Sequence, residues 1–376
     1  MTNLGDQERA VLAAIRANPF VSQQEMADAL GLARSTIAAH VASLTQKGRL
    51  LGRGYILPAA GRVVCLGGAV LDRKYHAPAP LVAGTSNPVN GVRSPGGVAR
   101  NVAENLALLG VPTAFISLVG EDEAGREILA QLRGRGVDVS QVAVTTSAPT
   151  AEYAAILGPD GDLALAAADM RIFDLFTPDL LDRAWPHLAG AQWVFADCNL
   201  PAATLALLVE RARATGLNLA IDAVSIPKLA RLPPDLTGIS LLFMNLDEAN
   251  ALLGRAPGDG DGDDALAAAQ ALRGRGTAGA IVTLGARGVA VATADTALHL
   301  PAVVVRPVDT TGAGDAMIAG TLHRLTAGDG ITAAARIGTL VGALTTETGA
   351  SVHPGLSPDL IAANLHRLKE APHVPA

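Results

Sequence analysis

The stretch VDTTGAGDAMIAG, residues 308–320, places one carboxylate, Asp315, among small residues that lead into an apolar run. A loop made of Gly312, Ala313 and Gly314 offers only backbone N–H groups and nothing bulky to keep an anion away. At a helix N-terminus such groups converge, and the helix dipole favours negative charge. The loop therefore suits a phosphate, or the charge that develops on a phosphoryl group in transfer. Asp315 cannot belong to that cradle, because two anions repel. Beside it, a carboxylate suits a base that takes the proton of an attacking hydroxyl. The plainer alternative is that Asp315 is the helix N-cap. No G-x-x-x-x-G-K-[ST] occurs, and Met317 stands where a dinucleotide fingerprint needs its third glycine.

A second candidate is SPGGVARNVAENLALLG, residues 94–110. Gly96 and Gly97 allow close backbone approach to a ligand. The spacing of Val98, Val102, Leu106 and Leu109 predicts a helix with one apolar face, ended by Gly110. Asn101 falls in its first turn, off that face, where its amide can donate to and accept from a sugar hydroxyl.

The elements that must hold these residues alternate between short apolar runs and Ala- and Leu-rich helical stretches from Arg62 onward. The runs 63–68, 114–120, 193–197, 219–223, 241–245 and 280–285 read as strands, several of them apolar on both faces. The pattern predicts an α/β fold with a doubly wound parallel sheet. Ligands in such folds gather at the carboxyl ends of strands, which here read Asp197, Asp222, Asn245 and Thr283. Two stretches, about 72–95 and 148–170, break the alternation. The second holds Pro159–Asp160–Gly161 between extended runs, a hairpin signal. Strands inserted there predict a small flap over the site.

Residues 1–57 read differently. They hold six basic and four acidic residues, a balance of +2 in a chain whose net charge is −6. Three helices are predicted: about 6–17, one opened by the Ser22/Glu25 capping box and stopped by Gly31, and one carrying Ile37, Val41 and Leu44 on a single face. RLLGRGYIL then reads as a hairpin turning near Gly52–Gly54. This order resembles a winged helix-turn-helix domain. The resemblance implies that Arg34, Ser35, Thr36 and His40 meet base edges in DNA and that Arg53 approaches phosphate from the wing. The alternative is a packing module or dimerisation arm with a solvated face. Residues 58–61 read as a linker, and 62–376 as the larger domain.

GGVARNVAENLALLG, NLDE (245–248), TLGARG (283–288) and DTTGAGDAMIAG, in that order, resemble the motifs of the PfkB/ribokinase family of sugar and nucleoside kinases. The resemblance implies a ribokinase-like doubly wound sheet with a small β-lid, and ATP and Mg²⁺ as cofactors. It implies Asp315 as catalytic base, and Gly312, Ala313 and Gly314 as the anion hole. Asn245 and Glu248 would organise Mg²⁺ through water, and Thr283, Gly285 and Gly288 would line the nucleotide pocket. Asp72, with Gly96, Gly97 and Asn101, would hold the sugar hydroxyls. Asp309 and Thr311 stand where some members bind a monovalent cation, K⁺.

Within that family GTSNPV (84–89) and AADMRIF (167–173) look most like pseudouridine kinases, which phosphorylate the 5′-hydroxyl of a C-linked nucleoside. Ser86 and Asn87 would then meet a uracil-like edge, although Ser-Asn-Pro also reads as a turn initiator. Tyr153 and Phe173 either stack on a base or fill the core. The expectation is a kinase for a nucleoside, with another nucleoside, a ribose- or fructose-type sugar, or a purely nucleoside-sensing transcription regulator as alternatives.

Composition agrees with a folded enzyme. Apolar residues make up 49% and charged residues 17%, so a large core is expected; aromatics at 3% leave it to Ala, Val and Leu. Cys65 and Cys198 match no metal or disulfide spacing and read as buried strand thiols. The polar start and the lack of a long uncharged apolar run predict a cytoplasmic protein with no membrane partner. A homodimer is expected, since winged helices usually act in pairs and family lids often pair subunits.

Overall fold

The computed structural model describes residues 4–51, 57, 59–256, 258 and 260–368. Its central sheet has eight strands. Across the sheet they run Ala297–Leu300, Val289–Ala292, Ala280–Thr283, Leu241–Asn245, Leu219–Asp222, Trp193–Asp197, Val63–Leu66 and Thr113–Ile116. The six from Ala280–Thr283 to Thr113–Ile116 pair in parallel. The other two are antiparallel, so the sheet is mixed rather than wholly parallel. Their short Val/Ala and Leu/His runs join through a turn in which the Thr293 N–H meets the Thr296 carbonyl. The predicted run 114–120 also splits. Ser117 turns out to bond the Gly67 carbonyl, and Leu118–Gly120 leaves to pair with Ala143–Thr145.

Alternation along the strands supplies two cores. Val64 and Leu66 enter one with Leu181, Leu205 and Leu272, from the helices Pro178–Ala189, Ala202–Thr215 and Gly262–Gly274. Val63 and Cys65 enter the other with Val102, Ile128 and Ile318, from Val98–Leu108, Glu123–Gly134 and Ala313–Thr326. Helices on both faces are what strands apolar on both sides require. Both cysteines are buried.

A second sheet of four strands runs Asn90–Gly96, Val70–His76, Ala151–Leu157, Leu163–Asp169. Its last hairpin closes at Gly158, whose N–H bonds the Asp162 carbonyl, and turns at Gly161 with φ 85°. The front of the chain forms three helices, Asp6–Ala17, Gln23–Leu30 and Arg34–Gln46, around Val11, Ile15, Met26, Ile37, Leu44 and Leu50. Ser22 and Glu25 make the expected capping box, and Gly31 ends the second helix in the left-handed region. The hairpin expected near Gly52–Gly54, with Arg53, lies outside the described residues. No helix among the described residues is long and apolar enough to cross a membrane.

The helix that carries Asp315 packs along Ile331–Thr346 by close backbone approach. A Cβ on Gly338 would lie 2.2 Å from Thr321 Oγ1 and 2.6 Å from the Met317 carbonyl. Gly338→Val is therefore expected to cost about 1–3 kcal/mol by overpacking, read as a lower urea midpoint. Gly274→Ala, where a Cβ meets nothing within 4 Å, should leave the midpoint unchanged or raise it.

Candidate functional site

The helix Ala313–Thr326 begins after Gly312, its N-cap, at φ 80°. A side chain there is excluded twice over, since a Cβ would also come 2.0 Å from the Ser351 carbonyl oxygen. The first intrahelical bond runs from the Ala316 N–H to the Gly312 carbonyl at 2.9 Å. The N–H groups of Gly314 and Asp315 thus have no intrahelical acceptor, while that of Ala313 reaches the Thr310 carbonyl at 3.2 Å. This is an anion-receptive helix start. Asp315 is not its cap. The carboxylate turns sideways instead, and its Oδ2 accepts from Asn101 Nδ2 at 2.7 Å.

Two predicted motifs, 214 residues apart, therefore meet through one hydrogen bond. Burial pushes the Asp315 carboxyl up to about 7; the Asn101 bond and the Arg100 charge pull it down, while Asp197 and Asp72 add to the rise. Asp72 is pushed up to about 6, again by burial, with Lys74 and Arg100 opposing. Gly96 sits against Asp72 and Gly97 against Gly68, each for a packing reason. A Cβ on Gly96 would lie 2.0 Å from Asp72 Oδ2, and one on Gly97, at φ 99°, would lie 2.5 Å from the Gly68 carbonyl.

The polar row at the strand ends is real in register, with Asp197 beside Asp222 and Asn245 beside Thr283. Asp197 is fully buried and does more than the row implied. Its Oδ2 accepts from the N–H groups of Gly68 and Ala99, both at 2.9 Å, and its Oδ1 from that of Asn199 at 2.9 Å. It thereby ties the loop after the first strand to the start of the Asn101 helix. No local pattern in the sequence marks that task. Burial raises the Asp222 carboxyl well above its usual range, helped by Glu248, Asp315 and Asp197.

Asn245 and Glu248 form a reciprocal capping box. Asn245 Oδ1 accepts from the Glu248 N–H at 2.8 Å, and Glu248 Oε2 from the Asn245 N–H at 2.9 Å. The three-residue spacing thus has a local cause. It does not use Glu248 Oε1, and the neighbouring Asp222 has one oxygen, Oδ1, taken by the Val224 N–H at 2.8 Å. Burial raises the Glu248 carboxyl despite the two Asn245 bonds. Among the described residues no three ligating side chains cluster tightly enough to hold a metal alone. Two like-charged carboxylates of this kind do fit Mg²⁺, which keeps its waters and shares phosphate oxygens. Thr283, Gly285 and Gly288 line a cavity of about 510 Å³ together with Ala313, Gly314 and Met317. Its wall is completed by Val303, Val305, Ala343 and Thr346, which the sequence reading did not single out.

Asp309 and Thr311 do not fit a free K⁺. The Lys74 ammonium, from the small sheet, lies 2.7 Å from Asp309 Oδ2 and 3.2 Å from Thr311 Oγ1. Asp309 Oδ1 is taken by the Thr311 N–H and hydroxyl. Burial opposes the charge of Asp309, but the Lys74 and Thr311 bonds outweigh it and hold the carboxyl at about 2. A second cation on those oxygens would meet like charge.

Asn87 is bound within its own loop. Its Oδ1 accepts from the Val82 N–H at 2.8 Å, and its Nδ2 donates to the Val82 and Thr85 carbonyls. The turn alternative describes it better than a base contact, and Ser86 beside it is exposed. Phe173 is core, at 1% exposure, whereas Tyr153 is half-buried and stands opposite Asp72 in register. In the front module Arg34 and Ser35 are exposed and Thr36 is half-buried. His40 Nε2 lies 3.1 Å from Gln7 Oε1 and so is partly engaged with the first helix.

Asp197→Ala should unfold at lower urea by at least about 2 kcal/mol, because it strands three buried N–H donors. An unchanged midpoint would remove Asp197 as the tie between strand and helix.

Residues 60–356 match the pfkB family of carbohydrate kinases, and residues 4–50 match a winged helix-turn-helix DNA-binding module. The chain is 33% identical over 358 residues to "Uncharacterized sugar kinase YeiI" of Escherichia coli K12, covering 95% of this chain and 98% of that protein. It is 32% identical over 260 residues to the pseudouridine kinase of the same organism, covering 69% and 82%. A carbohydrate kinase from Agrobacterium tumefaciens superimposes with a TM-score of 0.72 at 34% identity, covering 82% of this chain and 97% of that one. With its ribokinase-like mixed sheet and a winged helix-turn-helix match at its front, the chain belongs to the pfkB family of carbohydrate kinases.

Proposed function

We propose that the protein transfers the γ-phosphoryl group of ATP to the 5′-hydroxyl of a nucleoside, pseudouridine first among them, with Asp315 as the base. The observation that carries this reading is the Asp315 carboxylate, placed beside the free N–H groups of its own helix and 2.7 Å from Asn101. A base near neutrality and an anion cradle are the two things a hydroxyl needs to attack a phosphorus.

The acceptor sits between Asp72, Asn101 and Asp315. As its oxygen bonds to phosphorus, the proton passes to Asp315, and the bond to the departing ADP oxygen breaks in line. The N–H groups of Gly314 and Asp315 receive charge on the phosphoryl oxygens. Asp222 and Glu248 would hold Mg²⁺ with its waters, and when bound the ion neutralises phosphate charge. Thr283, Gly285 and Gly288 take the nucleotide in the cavity beside the cradle. The small sheet, carrying Asp72 and Lys74, shields the acceptor from water. The 32% identity to a pseudouridine kinase supports the nucleoside reading.

The winged helix-turn-helix match supports a second role, DNA binding through Arg34, Ser35, Thr36 and His40, with two copies reading two half-sites. A protein that only sensed its nucleoside would bind DNA and ligand without consuming ATP.

Asp315→Asn is expected to lower kcat by about 10²–10⁴-fold in an ADP-release assay over a panel of nucleosides and sugars. Retention of the full rate would remove Asp315 as the base. For the wild type, kcat/KM should fall as pH drops below about 7, because protonation of the raised Asp315 carboxyl disables it. A flat profile from pH 5 to about 8 would contradict the assignment. Arg34→Ala is expected to weaken operator binding and flatten its salt dependence in fluorescence anisotropy, leaving ADP release unchanged.

A further inference from the structure

Arg100 is 1% exposed in the first turn of the helix Val98–Leu108, and the chemistry above leaves it without a task. Its guanidinium is bonded along two edges. Nη1 donates to Asn101 Oδ1 at 2.7 Å and to the Pro95 carbonyl at 3.1 Å, and Nη2 donates to Glu104. Glu104, also 1% exposed, is gripped from its far side by Arg135 Nε at 3.1 Å and Gln131 Nε2 at 3.2 Å. Among the described residues Arg100 Nε, which is buried, has no hydrogen-bond partner. A guanidinium is thus fixed in place at the cost of one stranded donor.

An arginine has five donors and no acceptor. Asn101 must therefore turn its amide oxygen to Arg100 and its nitrogen to Asp315. The opposite flip would set an amide oxygen against the carboxylate and two NH₂ donors against the guanidinium. Among the described residues, nothing else bonded to the Asn101 side chain chooses between the two flips.

We infer that Arg100 is a positioning residue for phosphoryl transfer: it locks the Asn101 amide so that its nitrogen holds Asp315 Oδ2 and leaves Oδ1 to take the acceptor's proton. The inference rests on Asp315 acting as the base. Arg100 also acts on the base through charge. Asp315 faces Asp197, Asp72 and Asp222 as like charges, and Arg100 and Asn101 are the groups that oppose them. Loss of Arg100 removes an opposing cation, so the Asp315 carboxyl should titrate at higher pH.

The test is a carboxyl ¹³C NMR titration of the full chain, with the Asp315 resonance identified by its loss in Asp315→Asn. It is run beside kcat and kcat/KM for the fastest-consumed acceptor in a nucleoside panel. Arg100→Met should raise the Asp315 midpoint and carry the acid limb of kcat/KM upward with it. It should also lower kcat by about 10- to 100-fold with little change in KM for ATP. Adding Asn101→Ala to it should cost no more than Asn101→Ala alone. Arg100→Lys, which keeps the charge without the fork, should leave the midpoint near the wild-type value while kcat still falls. A folded Arg100→Met with an unmoved midpoint, or with a loss fully additive to that of Asn101→Ala, would overturn the inference. If Arg100→Met does not fold, additivity of Arg100→Lys with Asn101→Ala decides it. An Asp315→Asn protein at full rate sinks the base assignment separately, whatever Arg100 does.

Discussion

Four carboxylates crowd the carboxyl end of one sheet. Asp197, Asp222, Asp72 and Asp315 each act on at least one of the others as like charge. Leaving them all ionised and unpaired in a desolvated site would cost several kcal/mol. The fold answers three of them differently. Asp197 receives three backbone N–H groups, Asp222 receives the Val224 N–H, and Asp315 receives Asn101. Burial still leaves Asp315 near neutrality, which is where a base is most effective. Burial is the larger cause of the raised Asp315 and Asp222 carboxyls, and the like charges around them add to it.

That crowding also explains the glycines. Gly67 would place a Cβ 2.4 Å from Asp197, and Gly96 would place one 2.0 Å from Asp72. Carboxylates this close to the chain leave no room for side chains at those positions. The result is a backbone that hugs the acidic groups on one side and opens to an anion on the other, at Gly312 and Gly314. The cavity lined by Thr283, Gly285 and Gly288 reaches Gly314, the residue before Asp315.

Much of this was legible in the sequence because it is local. Apolar runs gave six parallel strands, Ser22 with Glu25 gave a capped helix, and the Gly-Ala-Gly loop gave an anion-receptive helix start. Some patterns admit two local explanations at once. Ser86–Asn87 allowed a base contact or a turn, and the Asn87 amide closes its own loop. Asn245 and Glu248 read as organising Mg²⁺ by resemblance, and the same spacing also caps a helix. Features carried by distant pairs were not legible at all. Lys74 on Asp309 spans 235 residues and sets an ammonium on the carboxylate where K⁺ was expected, and Asp197 grips Gly68 across 129. The edge strands at 289–300 were missed because they are short and their pairing is set by the neighbouring strand.

Transfer of a phosphoryl group to a nucleoside hydroxyl at this site, as proposed, is tested most directly by product stoichiometry. Purified wild-type protein is incubated with ATP, Mg²⁺ and pseudouridine, and ADP and phosphorylated nucleoside are quantified by mass spectrometry. The two products are expected to rise in equal amounts, with the phosphate on the 5′-oxygen. Binding of the nucleoside with no ADP formed, or ADP formed with the nucleoside untouched, would contradict it.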